Sequence, residues 1–299
     1  MLAKEKTSLE GAIHCADVHD FLPLIPDGSV DLSIIDPPYF EVSKENWDNQ
    51  WSSLSDYLIW TQGWIKEVAR ITRYSGSVYV YGCSKNLLTL SSLGTQFQEI
   101  GFEFRQEIIV DKGIKSVAGR TSKLHKLFPM VSENILYFVK DAKPFVKSIL
   151  VKAQKDKGLT PKEINEAMGL KSNGGGNWTK YAGETNFPLL PTKQHWDRLR
   201  EILGIDVNYQ QIGVTFNPEF GITNVWKDID FYSETRIHPT QKPQKLAQRL
   251  ISVSSNEQDL VLDLFSGSGN VSKVAAQMNR RFIGIDSCFY EGRTTASNV

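Results

Sequence analysis

The chain alternates between short apolar runs and longer stretches whose apolar residues recur at helical spacing. Buried strands are predicted at the apolar runs 30–35, 77–82, 102–110, 134–139, 260–265 and 282–285. A helix is predicted from about residue 54 to 71, where Tyr57, Trp64 and Val68 share one face, and such an aromatic stripe is typical of core packing. Strands that alternate with helices predict an α/β fold with a largely parallel sheet.

This pattern changes between about residues 141 and 230, where strand signals fade and a glycine-rich segment interrupts the chain. The loss of strand signals predicts an inserted, mainly helical domain at 141–230. The flanking segments, 11–140 and 231–299, then form the two parts of a single α/β domain.

The insertion carries one clear helix start. Thr160, Pro161 and Glu163 form a capping-box pattern with proline at the first helical position. The short helix that follows ends near Gly169, and a second helix is predicted at 195–203. A helix-turn-helix reader and a plain helical hairpin both fit this pattern.

The apolar run at 30–35 ends at an acid, Asp36, which is followed by Pro37, Pro38 and the aromatic ring of Tyr39. Proline fixes φ and removes a backbone donor, so the chain must leave the strand here as a rigid loop. The Asp36 carboxylate is thereby set at the carboxyl end of a strand, where open α/β sheets bind ligands. A carboxylate, a rigid turn with a free carbonyl and a flat ring suit a planar base that carries an amino group.

A second ligand-binding pattern follows the strand predicted at 260–265. The turn Ser266-Gly267-Ser268-Gly269-Asn270 contains glycines that let the backbone approach a ligand closely. The next strand ends at Asp286, about 20 residues after the first glycine, which is the spacing for an acid that binds two ribose hydroxyls. A dinucleotide-binding turn would have its third glycine at position 272, where this chain has Ser272.

Three segments together resemble the beta class of S-adenosylmethionine-dependent DNA amino-methyltransferases, which modify N6 of adenine or N4 of cytosine. They are Asp36-Pro37-Pro38-Tyr39, the glycine turn with Asp263, Phe265 and Asp286 around it, and Arg236-Ile237-His238-Pro239-Thr240-Gln241-Lys242-Pro243. The catalytic motif precedes the cofactor turn, as in that class, where the two halves of the sheet are swapped along the chain. The resemblance covers nearly all of the chain outside the insertion. It implies a Rossmann-like methyltransferase sheet, mostly parallel with one reversed strand, and an inserted target-recognition domain.

The resemblance implies roles for individual residues. Asp36, Pro37, Pro38 and Tyr39 would form the catalytic motif, in which the Asp36 carboxylate and the Pro37 carbonyl accept the two amino hydrogens and Tyr39 stacks on the base. The residues expected to bind the cofactor are Asp17, His238, Thr240, Lys242, Asp263, Phe265, Ser266, Gly267, Gly269 and Asp286. For Asp17 the alternative is a helix N-cap. For the segment before Pro243 the alternative is a plain helix start. The implied cofactor is S-adenosylmethionine, with S-adenosylhomocysteine as product.

The charge distribution supports a nucleic-acid partner although the formal net charge is zero. Between residues 105 and 162, thirteen lysine and arginine residues face five acids, the electrostatic footprint expected for phosphate contacts. A solvated lysine-rich face is the alternative. The residues expected to contact the target base or the DNA are Phe40, Lys112, Lys115, Arg120 and Lys123.

The cysteines, the histidines and the lengths of the apolar runs bear on four further classes of protein: disulfide-rich, metal-binding, membrane and secreted proteins. Cys15, Cys83 and Cys288 lie far apart, and the five histidines form no ligand spacing, so we expect neither a disulfide framework nor a metal site. No apolar run reaches the roughly 18 residues of a membrane span, and the first residues resemble no signal peptide. We expect a cytoplasmic protein of a prokaryote or phage, associated with the nucleoid.

The sequence therefore predicts a site-specific methyltransferase that acts on N6 of adenine in double-stranded DNA by base flipping. Aspartate at the first position of the catalytic motif is typical of adenine enzymes of the resembled class, and serine of cytosine enzymes. An N4-cytosine methyltransferase, an RNA methyltransferase and a non-catalytic DNA-binding subunit are the alternatives. A restriction endonuclease partner and a homodimer both remain open.

Overall fold

The computed structural model describes residues 9–42, 44, 46–117, 126, 128–170, 176–183, 185, 188–235 and 241–287. These residues form two compact units. The sheet unit holds the described residues up to Lys140 and from Thr215 onwards, and the helical unit is Asp141–Val214.

The elements follow the predicted alternation closely. The strands are β1 Ala12–Cys15, β2 Val30–Ile35, β3 Thr72–Cys83, β4 Phe102–Asp111, β5 Ser132–Lys140, β6 Val225–Trp226, β7 Leu260–Leu264 and β8 Arg281–Asp286. The helices are α1 Val18–Phe21, α2 Leu54–Ile71, α3 Leu87–Glu99, α4 Lys143–Lys157, α5 Pro161–Ala167, α6 Gly176–Ala182, α7 Lys193–Leu203, α8 Gln244–Ser254 and α9 Asn270–Gln277. All of the strands predicted from apolar runs are confirmed, and the helix predicted at 54–71 is α2.

The eight strands form one sheet in the order β1-β8-β7-β2-β3-β5-β4-β6. Among the described strands β5 alone is reversed: it pairs antiparallel with β3 and β4, and every other pairing is parallel. The prediction of a mostly parallel sheet with one reversed strand is confirmed. As a result, β5 brings its first residues to the edge where the parallel strands end, and Glu133 pairs with Cys83 at the end of β3.

Both faces of the sheet are covered around β2, so its polar residues Asp31 and Ser33 are buried together with its apolar ones. All six residues of β2 are buried. Val30 and Ile35 pack with Trp64 of α2 on one face. Leu32 and Ile34 pack with the helices α8 and α9 on the other face. The strand is thus buried from both sides and ends abruptly at Asp36.

Helix α2 shows how local sequence forms one of these layers. The Ser53 hydroxyl caps its first turn by accepting a hydrogen bond from the Asp56 amide. Tyr57, Trp64 and Val68 are buried on one face, so the aromatic stripe belongs to the core as predicted. Fully burying a large apolar side chain stabilises the fold by about 1.5–3 kcal/mol.

A buried charge joins three neighbouring strands. Asp31 on β2 forms an ion pair with Arg73 on β3, with Oδ1 and Nε 2.6 Å apart. Its other oxygen, Oδ2, accepts a hydrogen bond of 2.8 Å from the Leu260 amide at the start of β7. Because Asp31 is 2% exposed, its charge depends on these partners for compensation.

The helical unit has its own apolar cluster, which includes Ile164, Trp178, Trp196 and Leu199. The capping box predicted at Thr160 is confirmed, because its hydroxyl accepts from the Glu163 amide while the Glu163 carboxylate accepts from the Thr160 amide. This unit ends at Val214 rather than at residue 230 as predicted.

The residues after Val214 belong to the sheet unit because they pack and pair there. Strand β6 pairs with β4, and Trp226, Ile229 and Phe231 lie in the core on the β4 side. A strand of two residues carries too little pattern to be predicted from sequence. In the described part of the chain, no helix has the length and apolarity to cross a membrane.

Candidate active site

A cavity of about 540 Å³ lies in the sheet unit at the carboxyl ends of β2, β7 and β8. Most of the predicted site residues line it: Asp36, Pro37, Pro38, Tyr39, Lys112, Lys242, Asp263, Phe265, Ser266, Gly267 and Asp286. The catalytic motif and the glycine turn, which are far apart in the chain, therefore share one cavity. This follows from the sheet order, in which β7 lies directly beside β2.

The carboxylate of Asp36 has a partner on each oxygen. The Tyr39 hydroxyl donates a hydrogen bond of 2.7 Å to Oδ1. The ammonium of Lys242 lies 3.0 Å from Oδ2. The carboxylate is therefore held in one orientation, with a phenol on one side and a cation on the other.

The loop after Asp36 is fixed by groups that reach in from its flanks. The Tyr39 amide donates to Oδ1 of the buried Asp48 at 2.7 Å. The Tyr57 hydroxyl donates to the Pro38 carbonyl at 3.0 Å. These bonds satisfy polar groups of a segment that, because of its prolines, cannot join a strand ladder.

The Lys242 ammonium is enclosed by aromatic rings and carboxylates. Its Nζ atom lies 5.7 Å from the ring centroid of Tyr39 and 5.5 Å from that of Tyr81, within the range of cation–π contacts. Glu133 Oε2 is 3.9 Å from the same Nζ. Burial alone would lower the pKa of Lys242, but the Asp36 and Glu133 carboxylates outweigh burial and raise it, so Lys242 is a cation.

Glu133 links this lysine to a second one. Its Oε1 lies 2.8 Å from the ammonium of Lys112. Lysines and carboxylates thus alternate across the cavity in the order Asp36, Lys242, Glu133, Lys112. Such an arrangement keeps buried charges compensated.

Tyr39 and Tyr81, which both line the cavity, are neutral phenols. Burial raises the pKa of Tyr39 well above its usual value, and the nearby Asp36 carboxylate raises it further. Burial followed by the Asp36 charge raises the pKa of Tyr81 in the same way. Tyr39 therefore donates its proton to a hydrogen bond with Asp36 without losing it.

The glycine turn is built around two acids. The Gly267 amide donates to Asp286 Oδ2 at 2.7 Å. The buried Asp263 accepts from both the amide and the hydroxyl of Ser272, at 2.9 and 2.7 Å. Asp263 thus fixes the start of α9, and Asp286 fixes the turn itself.

The backbone of this turn takes conformations that favour glycine. Gly267 and Gly269 have φ of 51° and 76°, and Phe265 has φ of 63°, which is unusual for a residue with a side chain. Phe265 is held there by the rings of Trp60 and Trp64, whose centroids each lie 5.7 Å from its own. The turn thus combines three left-handed backbone positions within five residues, beside the cavity that Phe265 and Gly267 line.

Ser272, which occupies the third-glycine position of a dinucleotide turn, has a structural role. A side chain added at Gly284 would meet its hydroxyl at 2.7 Å, so the turn and β8 are packed closely. The serine bonds Asp263 at the very position where a dinucleotide-binding turn needs a glycine.

Other predicted residues lie elsewhere. Asp17 is exposed and caps α1 by accepting from the His19 amide at 2.8 Å, which is the alternative role weighed for it. Phe40 packs in the core against Tyr57, with ring centroids 5.8 Å apart, and is not part of the cavity lining. Lys115 is exposed. Gly269 shapes the turn, donating its amide to the Ser266 carbonyl.

His238, Thr240, Arg120 and Lys123 lie outside the described residues. Lys242, expected to bind the cofactor, has a carboxylate of the protein itself, Asp36, as its partner.

Glu133, Tyr81 and Asp48, which border the charged groups of the site, were not predicted. Glu133 lines the cavity because β5 is reversed, and Tyr81 lines it because β3 ends there. Asp48 lies in a loop and accepts a hydrogen bond from the Tyr39 amide. Glu133 directly precedes an apolar run in the sequence, but that pattern alone sets an acid at the opposite edge of a parallel sheet. In the part of the chain that the structure describes, no cluster of three potential metal ligands is present.

Comparison with known proteins agrees with this geometry. A family model for N6 and N4 methyltransferases, described as DNA methylase, matches residues 30–288. The Type II methyltransferase M1.MboII of Moraxella bovis is 28% identical over 274 residues, which are 92% of this chain and 90% of that protein. The Type II methyltransferase M.HpaI of Haemophilus parainfluenzae is 26% identical over 277 residues, 91% of this chain and 68% of that protein.

Solved structures share the fold at lower identity. The M1.HpyAVI–SAM complex has a TM-score of 0.51 and 18% identity, with 93% of each chain covered. The PvuII DNA methyltransferase (cytosine-N4-specific) has a TM-score of 0.56 and 15% identity, covering 95% of this chain and 88% of that one. These likenesses confirm the Rossmann-like methyltransferase fold. Since the family match includes the catalytic motif, the glycine turn and the strand that ends at Asp286, this chain belongs to the DNA methylase family of N6 and N4 methyltransferases.

Proposed function

We propose that this chain transfers a methyl group from S-adenosylmethionine to the N6 amino group of adenine in duplex DNA. The observation that carries the proposal is the shared cavity: the Asp36 carboxylate at the end of β2 opens into the same space as the glycine turn and Asp286. The relatives named as Type II methyltransferases and the neighbour solved with SAM support it.

The residues of the turn suit the cofactor. A volume of about 540 Å³ lies in the range of small-molecule sites. Gly267 and Gly269 carry no side chain and take left-handed backbone conformations, so the backbone could approach a ligand closely there, and Asp286 stands at the strand end where ribose hydroxyls would bind. Phe265, Ser266, Gly267 and Asp286 would hold the cofactor, and Asp263 would hold the turn. S-adenosylmethionine supplies a methyl group made electrophilic by its sulfonium.

The chemistry of Asp36 follows from the target's weak nucleophile. An exocyclic amino nitrogen shares its lone pair with the aromatic ring. Accepting the amino hydrogens at Asp36 and at the Pro37 carbonyl would localise that pair on nitrogen and stabilise the positive charge that develops there. Tyr39 would orient the carboxylate through its hydroxyl and stack on a base that has left the duplex.

Adenine is favoured because the catalytic motif begins with aspartate. The cytosine-N4-specific PvuII enzyme shares the fold, so N4 of cytosine is the second candidate. Both bases present a planar ring with an amino group, and the contacts of Asp36 suit either.

The proposed partner is double-stranded DNA, and we assign its sequence readout to the helical unit, Asp141–Val214. The surplus of lysine and arginine between 105 and 162 supports contacts with phosphates. The relatives' designation as Type II methyltransferases supports a cognate restriction endonuclease.

Product analysis tests the proposal. The protein and its Asp36→Ala variant are incubated with unmethylated duplex DNA and S-adenosylmethionine, and the digested nucleosides are analysed by mass spectrometry. Asp197→Ala, a change on an exposed helix surface, serves as the matched control. N6-methyladenine from the wild type and the control, and none from Asp36→Ala, supports base and mechanism together. If N4-methylcytosine is found instead, the target base is cytosine and not adenine. If neither methylated nucleoside is found, the proposal is overturned.

A further inference from the structure

We propose that Glu133 is a positioning residue of the reaction. When the target amino group enters the site, the Lys242 ammonium leaves the Asp36 carboxylate and binds the Glu133 carboxylate instead. The inference rests on the proposed function, in which Asp36 accepts hydrogens of that amino group. It assigns a role to a residue of the reversed strand β5 that neither catalytic nor cofactor motifs contain. It also gives Lys242 two positions.

The first observation is that Asp36 is already occupied. Tyr39 bonds Oδ1 at 2.7 Å, and Lys242 lies 3.0 Å from Oδ2. An ammonium in contact with Oδ2 competes with the incoming amino group for that acceptor. It also places a positive charge beside the nitrogen on which positive charge develops. Methyl transfer is therefore favoured when Lys242 is farther from Asp36.

The second observation is a carboxylate oxygen near the same lysine that accepts no hydrogen bond in the described part of the chain. Glu133 Oε2 lies 3.9 Å from Lys242 Nζ, beyond hydrogen-bond distance. This oxygen is buried, and in the described part of the chain it receives no hydrogen bond. A buried carboxylate oxygen without a donor is costly, so it favours an approaching cation.

The third observation is that Glu133 is held at one oxygen and that Lys242 is anchored through its backbone. Lys112 holds Oε1 of Glu133 at 2.8 Å. The Lys242 carbonyl accepts a hydrogen bond of 2.9 Å from Asn270 Nδ2, which anchors its backbone to the glycine turn. A shift of the ammonium by about 1 Å would bring it within ordinary hydrogen-bond distance of Glu133.

The aromatic walls keep the cation inside the site during this exchange. The rings of Tyr39 and Tyr81 lie at similar distances from Nζ, 5.7 and 5.5 Å. A lysine near two rings and two carboxylates has partners for its charge in either position. The charge compensation of the cavity is also unchanged, because the cation leaves one carboxylate for another.

A double-mutant cycle tests the proposal. Glu133→Gln removes the charge but keeps an oxygen for Lys112, and it should lower kcat by at least about tenfold with the affinity for S-adenosylmethionine unchanged. Lys242→Met removes the cation that must be relocated. In the Lys242→Met background, Glu133→Gln should then cost less than about twofold in kcat.

The control is Glu107→Gln, which alters a carboxylate on β4 that bonds Asn134 and lies outside the cavity lining. We expect its kcat to stay within about twofold of the wild type. An equal loss from Glu133→Gln in both backgrounds would indicate a purely structural role and overturn the inference. A wild type that methylates neither adenine nor cytosine contradicts the proposed function instead, so the two failures are distinguishable.

A structure keeps the proposal testable if Lys242→Met is inactive or does not fold. The wild type is crystallised with S-adenosylhomocysteine and a duplex that carries its mapped methylation site. Lys242 Nζ within hydrogen-bond distance of Glu133 and separated from Asp36 supports the exchange. Nζ that remains on Asp36, or that binds the carboxylate of S-adenosylhomocysteine, overturns it.

Discussion

The hydroxyl of Tyr39 donates a hydrogen bond of 2.7 Å to Oδ1 of Asp36, so the aromatic residue of the catalytic motif orients the acid three positions before it. Tyr39 thus has two separable parts, a hydroxyl that positions the carboxylate and a ring that is available to a base. The rigid prolines between them keep both parts at a fixed spacing.

Tyr39→Phe should lower kcat by about 10- to 150-fold, because a hydrogen bond to a charged group contributes about 1.5–3 kcal/mol. The Michaelis constant for DNA should change less, since the ring is retained. Tyr39→Ala should lower kcat and also raise that constant. Steady-state methyl transfer to DNA measures both, with Tyr74→Phe as a control outside the cavity. Equal behaviour of Tyr39→Phe and wild type would refute a positioning role of the hydroxyl.

Asp286→Ala should weaken S-adenosylmethionine binding by at least about tenfold, because the change removes the acceptor of the Gly267 amide and loosens the turn. Calorimetric titration gives the dissociation constant. Asp17→Asn is the comparison: asparagine caps helices as well as aspartate does, so α1 is retained while the charge is lost. We expect unchanged cofactor affinity, since the Asp17 carboxylate is exposed and caps the helix; a weaker complex would identify it as a cofactor contact.

Tyr39, Tyr57, Tyr79 and Tyr81 should remain protonated in the folded protein above pH 10, because burial raises the pKa of each phenol. In the unfolded chain they ionise near about pH 10, so the unfolded state then binds fewer protons than the native state. The free energy of unfolding should therefore fall as the pH rises above about 10. Tyrosinate absorbance follows this directly, and full ionisation of all tyrosines before the loss of structure would contradict it.

Asp31→Ala should destabilise the sheet unit by about 3–5 kcal/mol, because it leaves the Arg73 guanidinium in a largely buried position without its carboxylate. The Leu260 amide also loses its acceptor. Denaturant unfolding followed by tryptophan fluorescence measures the loss. Asp197→Ala breaks an exposed ion pair with Lys193 and should cost less than about 1 kcal/mol. Similar losses for the two variants would argue against the bridging role of Asp31.

The site residues that could be predicted from the sequence are those that belong to a local motif, in which a strand and the loop after it are consecutive in the chain. Asp36 and Asp286 end apolar strands, and the glycine turn follows a third, so the pattern alone sets them at the carboxyl edge of a parallel sheet. Partners from distant segments were not predictable. Nothing near Lys242 in the sequence indicates that its ammonium lies 3.0 Å from Asp36.

Glu133 shows why sheet topology was needed. An acid that precedes a strand is expected at the edge opposite the site in a parallel sheet, and only the reversal of β5 brings it to the cavity. The resemblance implied one reversed strand but not which residues that strand would deliver. For Asp17, the sequence alone places the residue after a strand. Its side chain accepts a hydrogen bond from the His19 amide as a helix cap, and this bond requires no ligand.

The place of β2 between β7 and β3 has a consequence for how the chain is made. Strand β3 follows β2 closely, but β7 comes more than two hundred residues later. While the chain emerges from the ribosome, β2 therefore has one unpaired edge until Leu260–Leu264 has been synthesised. An open strand edge can pair with other chains, so a nascent chain that still lacks β7 is exposed to aggregation at this edge. The prolines after Asp36 shorten that exposed edge to six residues and limit the risk.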